Sequence, residues 1–264
     1  MKHYRTVENA LATALLMLSA AGCGAGTPTP VEHAVATASP IPPDARHLLL
    51  VRSADWSATT ATLARFSRQP NGAWQPEGEA VSVVLGRSGM GWGRGLHADG
   101  APDGHTGPVK AEGDGRSPAG VFALGDTFGY DATTVSGATA LYHELTPSWQ
   151  CVDDGASDRY NTVFDTAGME TPWTSFETMR REDELYRRVV FVEHNTGPAL
   201  ARGGGSCIFL HVWRGSDSVT SGCTAMELAP LEDIIRFIDP GHTVLVQLPE
   251  SEVTALQSTW GIPG

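Results

Sequence analysis

Apolar runs of strand length, each closed by glycine, proline or small polar residues, recur along this chain and leave room for few helices. Residues 47–52, 60–67, 80–85, 120–124, 189–193, 207–213 and 243–248 are such runs. Stretches of roughly four to eight β-branched or apolar residues between turn signals are read as strands. Pro70-Asn71-Gly72 and Pro240-Gly241 are turn signals, and the 30 glycines and 17 prolines supply many more. Only residues 227–238 have the apolar spacing of an amphipathic helix, while the charged segment 175–185 allows one or two helical turns. The expected fold is therefore mainly β, a β-sandwich of mixed sheets with a helix at 227–238.

The first 22 residues do not belong to that fold. Lys2 and Arg5 precede a short apolar run at 10–21 that ends in small residues, the pattern of a secretory signal and too short to span a bilayer comfortably. Leu18-Ser19-Ala20-Ala21-Gly22-Cys23 resembles a bacterial lipobox, with Ala20 where that motif more often has leucine. Cys23 is then expected to become the lipidated N-terminus, anchoring the protein to the outer face of the cytoplasmic membrane, with release to the cell wall as the alternative. Residues 23–44, rich in proline, alanine and threonine, are expected to be a disordered tether. Residues 45–250 form the folded domain, and 251–264 a C-terminal tail.

Charge excludes one class of partner. The formal net charge is −12 and the only lysines are Lys2 and Lys110, so no basic stripe exists to neutralise nucleic-acid phosphates. No phosphate-cradling glycine loop or dinucleotide fingerprint occurs. Asp153-Asp154-Gly155 is a carboxylate pair without the spacing of a calcium loop, and it reads equally as a solvated turn. No metal and no cofactor are expected.

The chemistry concentrates in residues 206–226, SCIFLHVWRGSDSVTSGCTAM. His211 stands near the end of an apolar run, and Cys223 follows Gly222 after a loop of small polar residues. An imidazole on a strand and a thiol at a glycine-containing turn are what nucleophilic thiol catalysis requires, with Cys223 as nucleophile and His211 as general base and proton donor. The backbone N–H groups of Ser221, Gly222 and Cys223 are the candidate oxyanion hole. Arg202 and Arg214 flank the segment as candidate partners for peptide carboxylates. His194, at the end of another run, is either a further site imidazole or a hydrogen-bonded structural one.

The segment FLHVWRGSDSVTSGCTAM resembles the histidine-to-cysteine signature of the L,D-transpeptidase (YkuD-type) catalytic domain. Gly113, Ser117, Pro118, Gly120 and Phe122 match that family's Gly-x-x-(Thr/Ser)-Pro-x-Gly-x-Phe element, in the family's order. CVDDGASDRYN, residues 151–161, is similar to a Cys-x-Asp-Asp…Tyr-Asn element of one branch, which makes Asp153 and Asn161 candidates for lining the substrate groove. The sequence departs from the commonest motif in having Ser221 in place of histidine and Thr224-Ala225 after the cysteine. The resemblance spans roughly residues 48–248 and implies acyl transfer on peptidoglycan stem peptides through a Cys223 thioester. Cross-links or L,D-carboxypeptidase products would result, from a monomer in the cell envelope. With Cys23 lipidated and Cys223 catalytic, Cys151 and Cys207 are left, and in an oxidising compartment they can pair. Two other classes stay open: a catalytically silent peptidoglycan-binding lipoprotein, or another secreted thiol hydrolase or amidase. Papain-like enzymes place the cysteine before the histidine, the reverse of the order here.

Overall fold

The structure, a computed structural model, describes residues 39–264. The signal segment, the lipobox with Cys23 and the tether up to residue 38 lie outside the described residues. The chain opens with β1 (His47–Ser53), β2 (Thr60–Arg68), β3 (Trp74–Pro76) and β4 (Val81–Val84). Four strands follow: β5 (Met90–Trp92), β6 (Arg94–Gly95), β7 (Ala98–Asp99) and the long β8 (Ser117–Gly129). Next come β9 (Tyr142–Glu144), β10 (Trp149–Val152), β11 (Thr162–Asp165), β12 (Glu177–Thr178) and β13 (Arg188–Val192). The site-bearing part consists of β14 (Phe209–Val212), β15 (Thr224–Met226) and α1 (Leu228–Phe237), before β16 (Thr243–Pro249) and α2 (Glu250–Trp260) close the chain.

The fold is mainly β, and its large sheet mixes parallel and antiparallel pairs in the order β1-β16-β8-β13-β14-β15-β4-β2-β3. β1 also pairs with β2, so these strands close on themselves as a barrel. Closure leaves no long unpaired edge on the ring. The expected mainly β fold of mixed sheets with a helix after Cys223 is present, and β2 closes the ring by returning antiparallel along the full length of β1. A smaller sheet, β11-β10-β12, stands beside the barrel.

β1 explains why its sequence shows no alternation. It lies between β16 and β2, and Leu48, Leu49, Leu50 and Val51 are all fully buried. A strand covered on both faces needs apolar side chains at successive positions. α1 buries Leu231, Ile234 and Ile235, one stripe at helical spacing, and packs against β13 and β14. The helix therefore braces the strand that carries His211.

Three expectations change at the edges of elements. Residues 251–264 are not a tail: α2 runs through them and buries Val253, Leu256 and Trp260, with Ile262 buried just beyond. Three apolar residues in an eleven-residue helix are a thin periodic signal, and only docking on β16 and β1 makes the face visible. The tether ends before Asp44, since Ile41 is buried in the main core and Ser39 Oγ donates to the Trp260 carbonyl (2.6 Å). Segment 175–185 forms no helix. It holds β12 and then a turn in which the Asp183 carboxylate accepts the Leu185 N–H, a local bond that competes with helix formation.

Candidate active site

β14 and β15 run parallel, with His211 opposite Ala225. Cys223 lies two residues before Ala225, so strand alternation puts its side chain on the same face as the imidazole. Both groups line one cleft of about 360 Å³, together with Tyr186, Glu177, Arg181 and the 218–222 loop. Among the described residues Cys223 is the free cysteine. Gly222 gives the chain its corner: its φ is +148°, and a Cβ there would sit 2.9 Å from the Arg116 carbonyl oxygen.

The tautomer of His211 is fixed by its surroundings. Nδ1 lies 2.8 Å from the Val212 carbonyl oxygen, which can only accept, so Nδ1 carries the proton and Nε2 presents its lone pair. The ring of Tyr186 packs edge-on against the imidazole, centroids 5.4 Å apart. The thiol itself is held elsewhere. It accepts the Phe209 N–H (3.4 Å) and donates to the Cys207 carbonyl (3.5 Å). No hydrogen bond joins Cys223 to His211 among the described residues. Burial of both groups explains the resting state, because it pushes the Cys223 thiol up to about 12 and pulls His211 down to about 4. The pair rests as neutral thiol and neutral imidazole.

The backbone around the thiol is pinned from behind. The Cys223 carbonyl accepts the hydroxyls of Ser117 (3.0 Å) and Thr220 (2.7 Å), and Ser117 Oγ also takes the Gly86 N–H (2.9 Å). The Ser117-Pro118 element thus positions the nucleophile's own peptide. Gly222 donates its N–H to Thr220 Oγ1 (3.0 Å). That corrects the expected three-donor oxyanion hole: the N–H groups of Ser221 and Cys223 are without a hydrogen-bond partner among the described residues, and Gly222 is already committed.

Cys151 and Cys207 form a disulfide, Cα atoms 5.9 Å apart, that joins β10 to the residue whose carbonyl holds the thiol. Cys207 has a φ of +55°, rare for a residue with a side chain. Asn161 helps to fix it: its Oδ1 accepts the Cys207 N–H (2.9 Å), while its Nδ2 donates to the His194 and Asn195 carbonyls. Asn161 is therefore a buried strut and does not line this cleft. His194 is likewise structural, fully enclosed, with Nδ1 accepting the Arg94 N–H and Nε2 donating to Gly204.

Of the two candidate arginines, Arg202 is not at the cleft. It ties down the 155–158 turn through the Gly155 and Ser157 carbonyls and Asp158. Arg214 does line the cleft, paired with Asp183 (3.2 Å). Asp153 lines it too, accepting the Ser175 hydroxyl. Asp154 behaves as a turn residue, capping Ala156 and Thr174.

Glu177, Tyr186, Arg181 and Lys110 were not singled out in the sequence, yet all four line the cleft. No spacing marks the first three, which lie in or beside the charged segment read as helical. Lys110 offered one signal, as the lone lysine among the described residues. It is buried, with Nζ donating to Asp114 and the Ala111 carbonyl (both 2.7 Å).

The buried imidazoles make stability depend on pH. Burial holds His211 at about 4 and His194 at about 3, whereas the unfolded chain takes up these protons near 6.5. The unfolded state binds more protons in that window, so stability falls as pH drops below about 6.5 and levels off near the folded values. Each histidine contributes a slope of at most about 1.4 kcal/mol per pH unit. Urea midpoints taken from pH 7.5 to 4.5 should decline, and His211→Gln should remove one part of that decline, leaving the parts due to His194 and to His97, which burial also lowers. An unchanged slope would show that His211 titrates normally.

No protein-family model matches the chain, and no curated protein matches it. Among solved structures the chain is similar to the "Structure of Bdellovibrio bacteriovorus Bd1075", at 13% sequence identity and a TM-score of 0.39, over 82% of this chain and 55% of that one. The chain thus spans little more than half the length of that protein.

Proposed function

We propose that the protein is a cysteine acyltransferase of the L,D-transpeptidase type, acting on peptidoglycan stem peptides in the cell envelope. The observation that carries this reading is one wall of one cleft. It presents a reduced thiol, an imidazole whose Nε2 lone pair is set free by the Val212 carbonyl, and two unpaired backbone N–H groups at the thiol. The sequence signature around His211 and Cys223, and the Ser117-Pro118 element that grips the Cys223 peptide, support the same assignment. So does the architecture, a mixed-sheet β fold with a helix directly after the cysteine, which we assign to the L,D-transpeptidase-like sandwich class.

In this mechanism the thiol turns from the Cys207 carbonyl toward His211. Its proton passes to Nε2 as Sγ bonds to the carbonyl carbon between a diamino acid and the terminal D-alanine. The tetrahedral oxyanion takes the N–H groups of Ser221 and Cys223. The imidazolium then returns the proton to the leaving amine of D-alanine, and the thioester remains on Cys223. An amine of a second stem displaces the thiol to form a cross-link, or water does so to release the shortened peptide. A leash between Cys23 and Ser39 and a lipid on Cys23 would hold a monomeric domain beneath the peptidoglycan mesh.

One observation favours the silent binding module instead: the resting thiol is bonded into the wall and held far from ionisation. Intact-mass measurement separates the two. A carbapenem should acylate the protein once, on Cys223, and Cys223→Ala should abolish the adduct. Absence of an adduct, together with no D-alanine release from a tetrapeptide, would reject the enzyme and leave the binding module.

A further inference from the structure

β16 carries one amide among apolar residues. Gln247 is 1% exposed, stands between Val246 and Leu248, does not line the cleft, and takes no part in the thiol chemistry described above. A primary amide in such a place is costly unless it is hydrogen-bonded. Gln247 finds its partners on two segments that both belong to the nucleophile's support. Its Nε2 donates to the Pro118 carbonyl (2.8 Å), and its Oε1 accepts the Thr224 hydroxyl (2.6 Å). The Pro118 carbonyl can only accept, which fixes the amide in this orientation.

Both partners are next neighbours of groups at the site. Pro118 follows Ser117, whose hydroxyl holds the Cys223 carbonyl, and Thr224 follows Cys223 itself. Strand alternation turns Thr224 to the face opposite the thiol, the side on which Met226 is buried in the main core. Sulfur thus faces the cleft while the next side chain is gripped from behind. Ser117 and Thr220 hold the carbonyl of the peptide between Cys223 and Thr224, and Gln247 ties Thr224 to the same Ser117-Pro118 segment. Three separate bonds therefore keep that peptide from rotating. The Cys223 N–H leaves the same Cα. On its other side stands Gly222, the residue type least able to hold a direction by itself.

We propose that Gln247 is a positioning residue for acyl transfer: through Thr224 and Pro118 it aims the Cys223 N–H at the developing oxyanion, without touching substrate. This rests on the reading of Cys223 as an acyl-transfer thiol and adds to it a residue from a strand outside the cleft. Thr224, one of the departures from the commonest motif, then has a function of its own, as the hydroxyl that Gln247 holds.

The test compares two reactions of Cys223 in the full chain, both read by intact mass. Acylation by a carbapenem builds charge on a carbonyl oxygen and draws on the N–H groups, whereas iodoacetamide loses iodide from a saturated carbon and does not. Gln247→Met fills similar space without the amide, and Thr224→Val replaces only the hydroxyl. Each should slow acylation at least about ten-fold, part of the roughly 10²–10³-fold cost of removing a donor outright, while alkylation stays within about two-fold. Thr224→Ser, which keeps the hydroxyl, should acylate within about three-fold of the unsubstituted protein. Equal slowing of both reactions would mean that Gln247 only supports the fold, and unchanged acylation would mean that the N–H needs no such tie; either result overturns the proposal. If Gln247→Met shows no cooperative urea transition, Thr224→Val and its serine counterpart decide the matter alone. Failure of the underlying reading looks different: the unsubstituted protein is alkylated on Cys223 yet takes no carbapenem, and the proposal falls with it.

Discussion

His211→Ala should slow acylation of Cys223 by about 10²–10⁴-fold at neutral pH, the usual contribution of a positioned general base. The argument starts from the thiol. With Cys223 pushed up to about 12, only about one molecule in 10⁵ carries a thiolate at pH 7, so attack depends on a partner that takes the proton as the bond forms. The Val212 carbonyl fixes the Nδ1 proton and leaves His211 Nε2 as that partner. Because His211 is held at about 4, it remains a competent base well below pH 6.5, and the acid limb of the wild-type rate should fall near pH 4. In His211→Ala the rate should instead climb about ten-fold per pH unit across the neutral range, as hydroxide takes over. Stopped acylation reactions read by mass from pH 4 to 10 would show both limbs. A variant that acylates at the wild-type rate, with folding confirmed by its urea transition, would prove that another base is used.

Loss of the Cys151–Cys207 bridge should cost about 4 kcal/mol of unfolding free energy. That figure follows from the chain entropy of closing a loop whose ends are 56 residues apart. The bond does more than constrain the unfolded chain. Cys207 is held at φ +55° with its N–H on Asn161 and its carbonyl on the Cys223 thiol, so the bridge sets the nucleophile's resting position. Cys151→Ala/Cys207→Ala should lower the urea midpoint strongly and also speed iodoacetamide modification of Cys223, as the residue-207 carbonyl that accepts from the thiol is no longer held by the bridge. A loss below about 1 kcal/mol with unchanged alkylation would show that the Asn161 strut and the packing of β14 hold the geometry unaided.

Much of the scaffold was legible because short-range chemistry dictates it. The run containing Leu48–Val51 could be read as a strand, and the stripe Leu231, Ile234, Ile235 as a helix. α2 was not legible, since Val253, Leu256 and Trp260 are a sparse stripe among polar neighbours and gain their meaning from the barrel wall beneath. The same limit hid Glu177 and Tyr186. Their bond spans nine residues of a charged segment with no period, and it forms because β10 recruits Glu177 as a strand partner. Arg202 illustrates the opposite error, a residue near His211 in sequence whose side chain is drawn off by the carbonyls of a different turn.

The sequence by itself determined a mainly β chain, a helix after Gly222-Cys223, and the residue types of a thiol–imidazole pair. Periodicity, glycine and proline act over a few residues and need no partner to be read. Which carbonyl holds the imidazole, which holds the thiol, how many N–H groups remain free and which carboxylates face the cleft were decided only by the tertiary structure. Those are contacts between segments tens of residues apart, fixed when β14, β15, β8 and β10 are brought side by side, and no local pattern encodes the distance between them.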